Sequence, residues 1–423
     1  MNWWTPNYFH GMNSIMLKKP TTLKNSINGN QSERYYYLDW LRLFAILVVF
    51  FHHCSKFFDY HTTTVYNTVR SPALSAFREF NFLWIMPLFF FISGASVYFS
   101  LRSRKAGGFI KERILRILIP LIFIGTFVIN PPYIYIERLF EGKTISGFIS
   151  WYPHFFDGMW PKGNFAPLGM GTHLWYLQYL FIFSLILLPL FVRSKKSGRS
   201  HLAKLATHFE KPWALLLLFV PISAAASSIE LMGLGFTRVV GGWDPISFLL
   251  LFIYGYLIFS NTQLLETIGK ISTVSLVAAI VLTIFYIDSH FGVNLAIPGI
   301  TRHNIHEIEA AFPINLPVSA AIQAFRGLLG WCWLIGLLGL GKRFLNFNNR
   351  ALAYGGEAVL PFYILHHTII LVVGFPILQW SSSVSTKYSA IASISFVIIL
   401  ALYELLVRRL NIIRFLFGMK SKI

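Results

Sequence analysis

Charge is what this sequence has least of. Only 13% of its 423 residues are Asp, Glu, Lys or Arg, against about a quarter in an ordinary soluble chain. Acid is scarcest: 17 Asp and Glu stand against 36 Lys and Arg, for a net charge of +19. So little charge excludes an ordinary water-soluble globular fold. Cysteine is nearly absent. Cys54 and Cys332 both fall inside apolar segments, so there is no disulfide framework and no zinc-ligand spacing. Tandem repeats and a separate soluble domain are missing too. Residues 1–33 lack the short apolar run followed by small residues that a signal-peptide cleavage site needs.

Aromatic and aliphatic residues fill the place of charge. The chain is 55% hydrophobic, with 41 Phe, 19 Tyr and 12 Trp. Phe suits lipid-facing helices, while Trp and Tyr gather at the membrane boundary. A spanning helix needs about 20 mostly apolar residues. Ten runs meet that need, near 38–58, 83–102, 114–136, 173–192, 213–230, 245–260, 268–287, 318–341, 358–378 and 388–408. The expected fold is therefore all-α, a polytopic membrane protein of about ten transmembrane helices.

A basic excess can signal nucleic acid, but its distribution here decides otherwise. Lys and Arg cluster in short links: Arg102 to Arg116, Arg193 to Lys211, Lys342 to Arg350, and Arg408 to Lys422. These follow the second, fourth, eighth and tenth runs, and the weak sixth link alone breaks the pattern. The positive-inside rule puts them, and both termini, in the cytoplasm. The expected organisation is a cytoplasmic lead over 1–34, a membrane domain over 35–410 and a basic cytoplasmic tail over 411–423. Trp3 and Trp4 in the lead are expected to touch the interface.

Ionisable groups inside a span cost several kcal/mol and are functional candidates by default. The first run holds the densest set: Asp39, Arg42, His52 and His53. Eleven helical steps separate Arg42 from His53, which leaves about 20° of rotation and a rise of about 16 Å. Arg42 then lies near the cytoplasmic end and His53 past the midplane, on one face. Asp39 can pair with Arg42 at i,i+3. A neutral imidazole there can take a hydroxyl proton as a general base. The bland alternative is an ion pair that fixes topology and a histidine bonded to a neighbouring helix.

Other polar residues recur down the chain. Arg113 and Arg116 at i,i+3 can grip phosphate or simply anchor the third run. His366 and His367 lie about mid-membrane in the ninth. His173 opens the fourth, after an outward link carrying Trp151, Tyr152, His154, Phe155, Phe156, Asp157 and Trp160. Aromatic faces beside a carboxylate suit a sugar, or an interfacial belt. Ser93-Gly94 is expected to serve close helix packing, and Pro131-Pro132 to kink or end the third run.

Taken in order, these pieces resemble the acyltransferase-3 family of membrane proteins. They are Leu38-Asp39-Trp40-Leu41-Arg42 leading to His53, Met86 to Gly94, Arg113-x-x-Arg116 with Pro120, His173-Leu174-Trp175-Tyr176-Leu177, and Phe362-Tyr363-Ile364-Leu365-His366. The last two look most like the glucan-modifying branch. The resemblance implies a multi-pass cell-membrane O-acyltransferase, expected in a bacterial inner membrane. It implies a fold of about ten helices and cytoplasmic acyl-CoA as co-substrate, with no permanently bound cofactor and no metal. It also implies a saccharide, glycan or glycolipid acceptor and no nucleic acid.

The Arg42-to-His53 spacing matches the family's essential pattern, with Asp39 orienting Arg42. Arg113 and Arg116 match its donor-binding arginine pair. His173, His366, Trp151, Asp157 and Trp160 are expected on the acceptor side or just behind it. Acetyl and succinyl donors, and base versus covalent roles for His53, stay open. A transporter or flippase of a lipid-linked or small polar substrate is the rival reading. A haem protein using the histidine pairs is a third.

Overall fold

The computed structural model describes residues 35–62, 64–143, 145–158, 173–196, 201–232, 241–291 and 316–421. The expected lead over 1–34 and Trp160 lie outside the described residues. Each of the ten apolar runs is helical. In chain order they are α1 (Tyr36–Phe58), α2 (Pro72–Ser103), α3 (Ala106–Phe140), α4 (Trp175–Ile186 with Leu188–Lys195), α5 (Pro212–Ile229), α6 (Pro245–Phe259), α7 (Thr262–Ile287), α8 (Ala320–Phe344), α9 (Arg350–Leu378) and α10 (Val384–Val407). A short α11 (Asn411–Leu416) follows. No strand occurs among the described residues.

Several helices start earlier than their apolar runs. α2 begins at Pro72 rather than near 83, with Pro at its first turn and the Ser71 side chain accepting from Leu74 N. α9 begins at Arg350 rather than near 358, capped by Asn349 on Leu352 N at 2.8 Å. Hydropathy marks only the part of a helix that suits hydrocarbon. Caps and polar first turns carry the helix beyond it.

Eight of the ten helices are long and apolar enough to span. α4 is a bent pair, broken by 48°. Its break falls at Leu187, just before Pro189. Pro189 has no N–H for the Leu185 carbonyl and its ring crowds that turn. α6 has only 15 residues, about 22 Å of helix against a hydrocarbon core of about 30 Å. It is apolar all round because protein, not lipid, surrounds it.

Pro131 and Pro132 do not end α3, which runs on to Phe140. A proline at 131 strips the Phe127 carbonyl of its amide partner. The Tyr152 hydroxyl donates to that carbonyl instead, at 2.9 Å. Thr368 Oγ1 of α9 donates to the Ile129 carbonyl at 3.0 Å. Upstream, Ile114–Leu118 and Pro120–Ile129 are π-helical, a rare form that often marks functional segments.

α2 is the innermost helix, 72% buried over its apolar window, whereas α7 and α10 are 28% and 33% buried and form the rim. The tightest packing is between α2 and α6. A Cβ on Gly94 would stand 1.8 Å from the Phe252 carbonyl oxygen, and one on Gly255 would stand 1.9 Å from that of Phe91. The two backbones therefore touch, as small residues at a membrane helix interface permit. Gly94 serves close packing, as expected of the Ser93-Gly94 pair, whereas the Ser93 hydroxyl lies 2.6 Å from that of Tyr176. Gly94→Val is expected to abolish monodisperse protein in detergent. Gly108→Val is expected to preserve it, because a Cβ there meets nothing within 4 Å. Size-exclusion chromatography of both variants checks the contrast.

Candidate active site

α1 is continuously α-helical from Tyr36 to Ser55, so the spacing of Arg42 and His53 is rigid. Arg42 sits at one end, with Nη1 3.4 Å from Asp39 Oδ1 and Nη2 donating to Ser96 Oγ at 3.0 Å. The Ser96 hydroxyl itself donates to the Ile92 carbonyl at 2.8 Å. Asp39 and Arg42 are 29% and 31% exposed. Such a pair contributes little stability, and its effect is to aim the guanidinium.

His53, at the other end, enters a cluster built from three further segments. Its ring centroid lies 5.1 Å from His366 and 4.2 Å from His367, both on α9. His173, just ahead of α4, lies 5.2 Å from His366 and 5.0 Å from His367. Tyr133 of α3 closes the ring at 5.2 Å from His367. The fourth and ninth runs, far apart in sequence, are locked by backbone contacts. Tyr363 donates its hydroxyl to the His173 carbonyl at 2.7 Å, and His173 Nε2 donates to the Ile364 carbonyl at 3.0 Å.

Adjacent residues on one helix point about 100° apart. His366 and His367 both face the cluster, because it wraps around α9 over more than the 100° between neighbours. His52 does turn away, against Phe82 at 4.8 Å.

A carbonyl can only accept, so these bonds fix tautomers. His366 Nδ1 donates to the Tyr363 carbonyl at 2.6 Å, and its buried Nε2 has no partner. His173 has the opposite arrangement: Nε2 carries the proton and Nδ1 is buried without a partner. His53 Nδ1 and His367 Nδ1 are also unpartnered. Two bare lone pairs of defined position suit hydroxyl donors. His366 is fully buried and His367 nearly so, while His53 is only half-buried. Among the described residues no group of three or more His, Cys, Asp or Glu is placed to hold a metal ion.

Tyr176 links this cluster to the arginines. Its hydroxyl is 2.6 Å from Ser93 Oγ, and Arg42 and Arg113 both lie close enough to act on it electrostatically. Its ring lies 5.8 Å from Tyr363, which is 6.0 Å from His173 and 5.6 Å from His366. A polar track thus runs from Arg42 and Arg113 through Ser93, Tyr176 and Tyr363 to the histidines. Beyond them, Lys56 Nζ reaches the Tyr133 hydroxyl at 3.4 Å.

The two arginines of α3 have different neighbours. Arg116 Nε is 3.4 Å from Glu112, which Arg104 also grips. The Arg113 guanidinium lies over the Phe109 ring at 4.6 Å, with Nε unpartnered. In the link after α3 Trp151 is buried, packed 5.3 Å from Tyr135 with Arg138 over its ring. Asp157 is exposed and pairs with His154 at 2.9 Å. Among the described residues, neither makes a hydrogen bond, ion pair or ring contact with the clustered histidines. Spacing and polarity single out Arg42, His53, His173 and His366. They pass over Lys56, Ser96, Tyr133, Tyr176 and Tyr363, which look like ordinary interfacial or packing residues.

These features define a polytopic helical membrane protein with a buried histidine cluster, and the family match makes it an acyltransferase. Residues 35–404 match the acyltransferase domain of the acyltransferase-3 family, and the chain belongs to that family. It is similar to glucans biosynthesis protein C of Shigella dysenteriae, 24% identical over 412 residues, covering 93% of this chain and 97% of that one. The Salmonella typhimurium protein of the same name is 23% identical over 401 residues, covering 92% and 96%. No solved structure matches this chain.

The fixed tautomers have a direct spectroscopic check. Solid-state NMR of protein with ¹⁵N-labelled histidine is expected to show His366 protonated at Nδ1 and His173 protonated at Nε2. The same tautomer at both sites would contradict the hydrogen-bond assignment.

Proposed function

We propose that this enzyme takes an acetyl or succinyl group from acyl-CoA at the cytoplasmic face and moves it to a hydroxyl of a saccharide, glycan or glycolipid on the outer side. The observation that carries the reading is the polar track. It begins at arginines suited to a polyanionic donor and ends at a half-buried histidine on the same helix face. Both termini are assigned to the cytoplasm on the basic links. The bacterial inner membrane is the proposed setting, and the name of the relatives favours a glucan-like acceptor.

The step balances without a bound cofactor. The acceptor hydroxyl attacks the thioester carbonyl as His53 takes its proton. A C–O bond forms, the C–S bond breaks, and the imidazolium returns its proton to the departing thiolate. His366 Nε2 and His173 Nδ1 accept hydrogen bonds from neighbouring acceptor hydroxyls. Arg42 and Arg113 hold donor phosphates, with Arg116 at the same mouth.

Lys56 distinguishes the two acyl groups. It makes no ion pair within 4.0 Å among the described residues and acts electrostatically on His53, His173 and His367. A succinyl carboxylate reaching past His53 meets this cation, whereas acetyl has nothing to offer it. Lys56→Met is expected to lower use of succinyl-CoA about tenfold more than use of acetyl-CoA, the scale of one lost charge-assisted hydrogen bond. Equal losses with both donors would remove Lys56 from acyl selection.

Two further variants test the core of the proposal. His53→Ala is expected to abolish transfer while keeping the folded protein; full activity would end its role as base. Arg113→Ala with Arg116→Ala is expected to remove the rise in melting temperature that acetyl-CoA or succinyl-CoA gives wild type. No rise in wild type with either thioester would favour a transporter, to be measured by flux.

A further inference from the structure

The C-terminal segment is anchored more firmly than a loose basic tail. Arg414 in α11 is 5% exposed, with its guanidinium used on every side. Nε donates to the Lys420 carbonyl at 2.8 Å, Nη1 to the Arg408 carbonyl at 3.3 Å, and Nη2 stands 2.9 Å from Glu357 Oε1. Glu357 lies about two turns inside α9. A cation withdrawn from water with a carboxylate and two carbonyls is tied to one place. After α11 the chain turns at Gly418, whose φ is +70°. Phe417 N donates to the Ile413 carbonyl at 2.9 Å and Met419 N to that of Arg414 at 2.8 Å, which closes the helix end on a left-handed glycine.

That turn rests on α3. A Cβ on Gly418 would stand 2.7 Å from the Arg116 carbonyl oxygen and 3.0 Å from the Pro120 ring. Pro120 has no N–H to give the carbonyl four residues back, which is that of Arg116. Arg116 also lies in the π-helical stretch Ile114–Leu118, a rare geometry in which each carbonyl bonds the N–H five residues on. The tail therefore packs directly on the backbone of the segment that carries Arg113 and Arg116, at the turn where Pro120 rules out the α-helical bond.

We infer that the C-terminal segment, tied by Arg414 to Glu357 and seated through Gly418 on the Arg116 backbone, is a positioning element for the acyl-CoA phosphate site. The inference rests on the reading of Arg113 and Arg116 as donor arginines. It does not depend on the chemistry at His53. Arg414 and Gly418 touch neither donor nor acceptor, and they act by fixing the register of the π-helical turn.

The test is a thermal-shift titration of purified full-length protein with acetyl-CoA and succinyl-CoA. It compares wild type, Gly418→Ala, Arg414→Gln and the charge-swapped pair Arg414→Glu with Glu357→Arg. Gly418→Ala keeps the Arg414 anchor and adds one methyl group at the contact, so it remains informative where Arg414→Gln fails to fold. The dissociation constant for acyl-CoA is expected to rise about tenfold in Gly418→Ala and Arg414→Gln, a binding difference of about 1.4 kcal/mol. The swapped pair is expected to recover part of the affinity. A tail that only stabilises the fold would lower the ligand-free melting temperature and leave the dissociation constant of Gly418→Ala at the wild-type value. That result overturns the inference and spares the donor reading. Absence of any shift in wild type overturns the donor reading and this inference with it.

Discussion

The rigidity of α1 sets the distance over which everything else in this protein acts. An unbroken helix from Tyr36 to Ser55 holds Arg42 and His53 on one face about 16 Å apart. Neither end can move toward the other. The remaining helices must therefore bring polar groups to both ends of that fixed offset. α2 does so at the lower end through Ser96, and α9 at the upper end through His366 and His367. The backbone contact between α2 and α6 keeps α2 close enough for Ser93 to reach Tyr176.

The upper end depends on a second constraint. Polar atoms withdrawn from water inside an apolar bundle are costly to leave without partners. α9 supplies two of these partners from its own backbone, the Tyr363 and Ile364 carbonyls. Each already lies in a helical turn, and its second lone pair takes a histidine N–H. The same bonds that stabilise the histidines also decide which nitrogen stays bare. Positioning and satisfaction of the ring are thus one feature, and a reactive lone pair is what remains when the other nitrogen is bonded.

Much of this could be read from the sequence, in physical terms that are specific. Ten apolar runs became ten helices, and the eight long and apolar enough to span share a composition because hydrocarbon demands the same of every span. Arg42, His53, His173 and His366 stood out because an ionisable group in such a run needs a reason. Tyr133, Tyr176 and Tyr363 did not stand out, since the chain has 19 Tyr and most of them could serve the interface. Lys56 resembled an anchor at the end of a helix. The break in α4, the π-helical stretches of α3 and the interior position of α6 depend on how neighbours pack, which periodicity does not encode. Trp151 was read from its company of aromatics as either facing a sugar or belonging to an interfacial belt. Those same aromatics bury it, and so a cluster of rings in a link does not by itself predict an open face.

Two Asp–Arg pairs show how the bundle divides stability from chemistry. Asp59 and Arg78, just after α1 and near the start of α2, are 4% and 11% exposed and bonded further to Thr62. Removing one partner there would strand a buried charge, which typically costs about 3–5 kcal/mol. Asp39 and Arg42 are nearly three times as exposed as Arg78, and a pair of that kind typically contributes about 1 kcal/mol or less. The strong pair therefore lies where it can hold the link between α1 and α2 against α2. The weak pair lies at the other end of α1, where, on the proposed reading, a tightly neutralised arginine would have little left for a phosphate. An arginine meant to bind an anion must be aimed by its neighbours without being satisfied by them. One carboxylate at 3.4 Å and one neutral hydroxyl at 3.0 Å leave Arg42 in that condition.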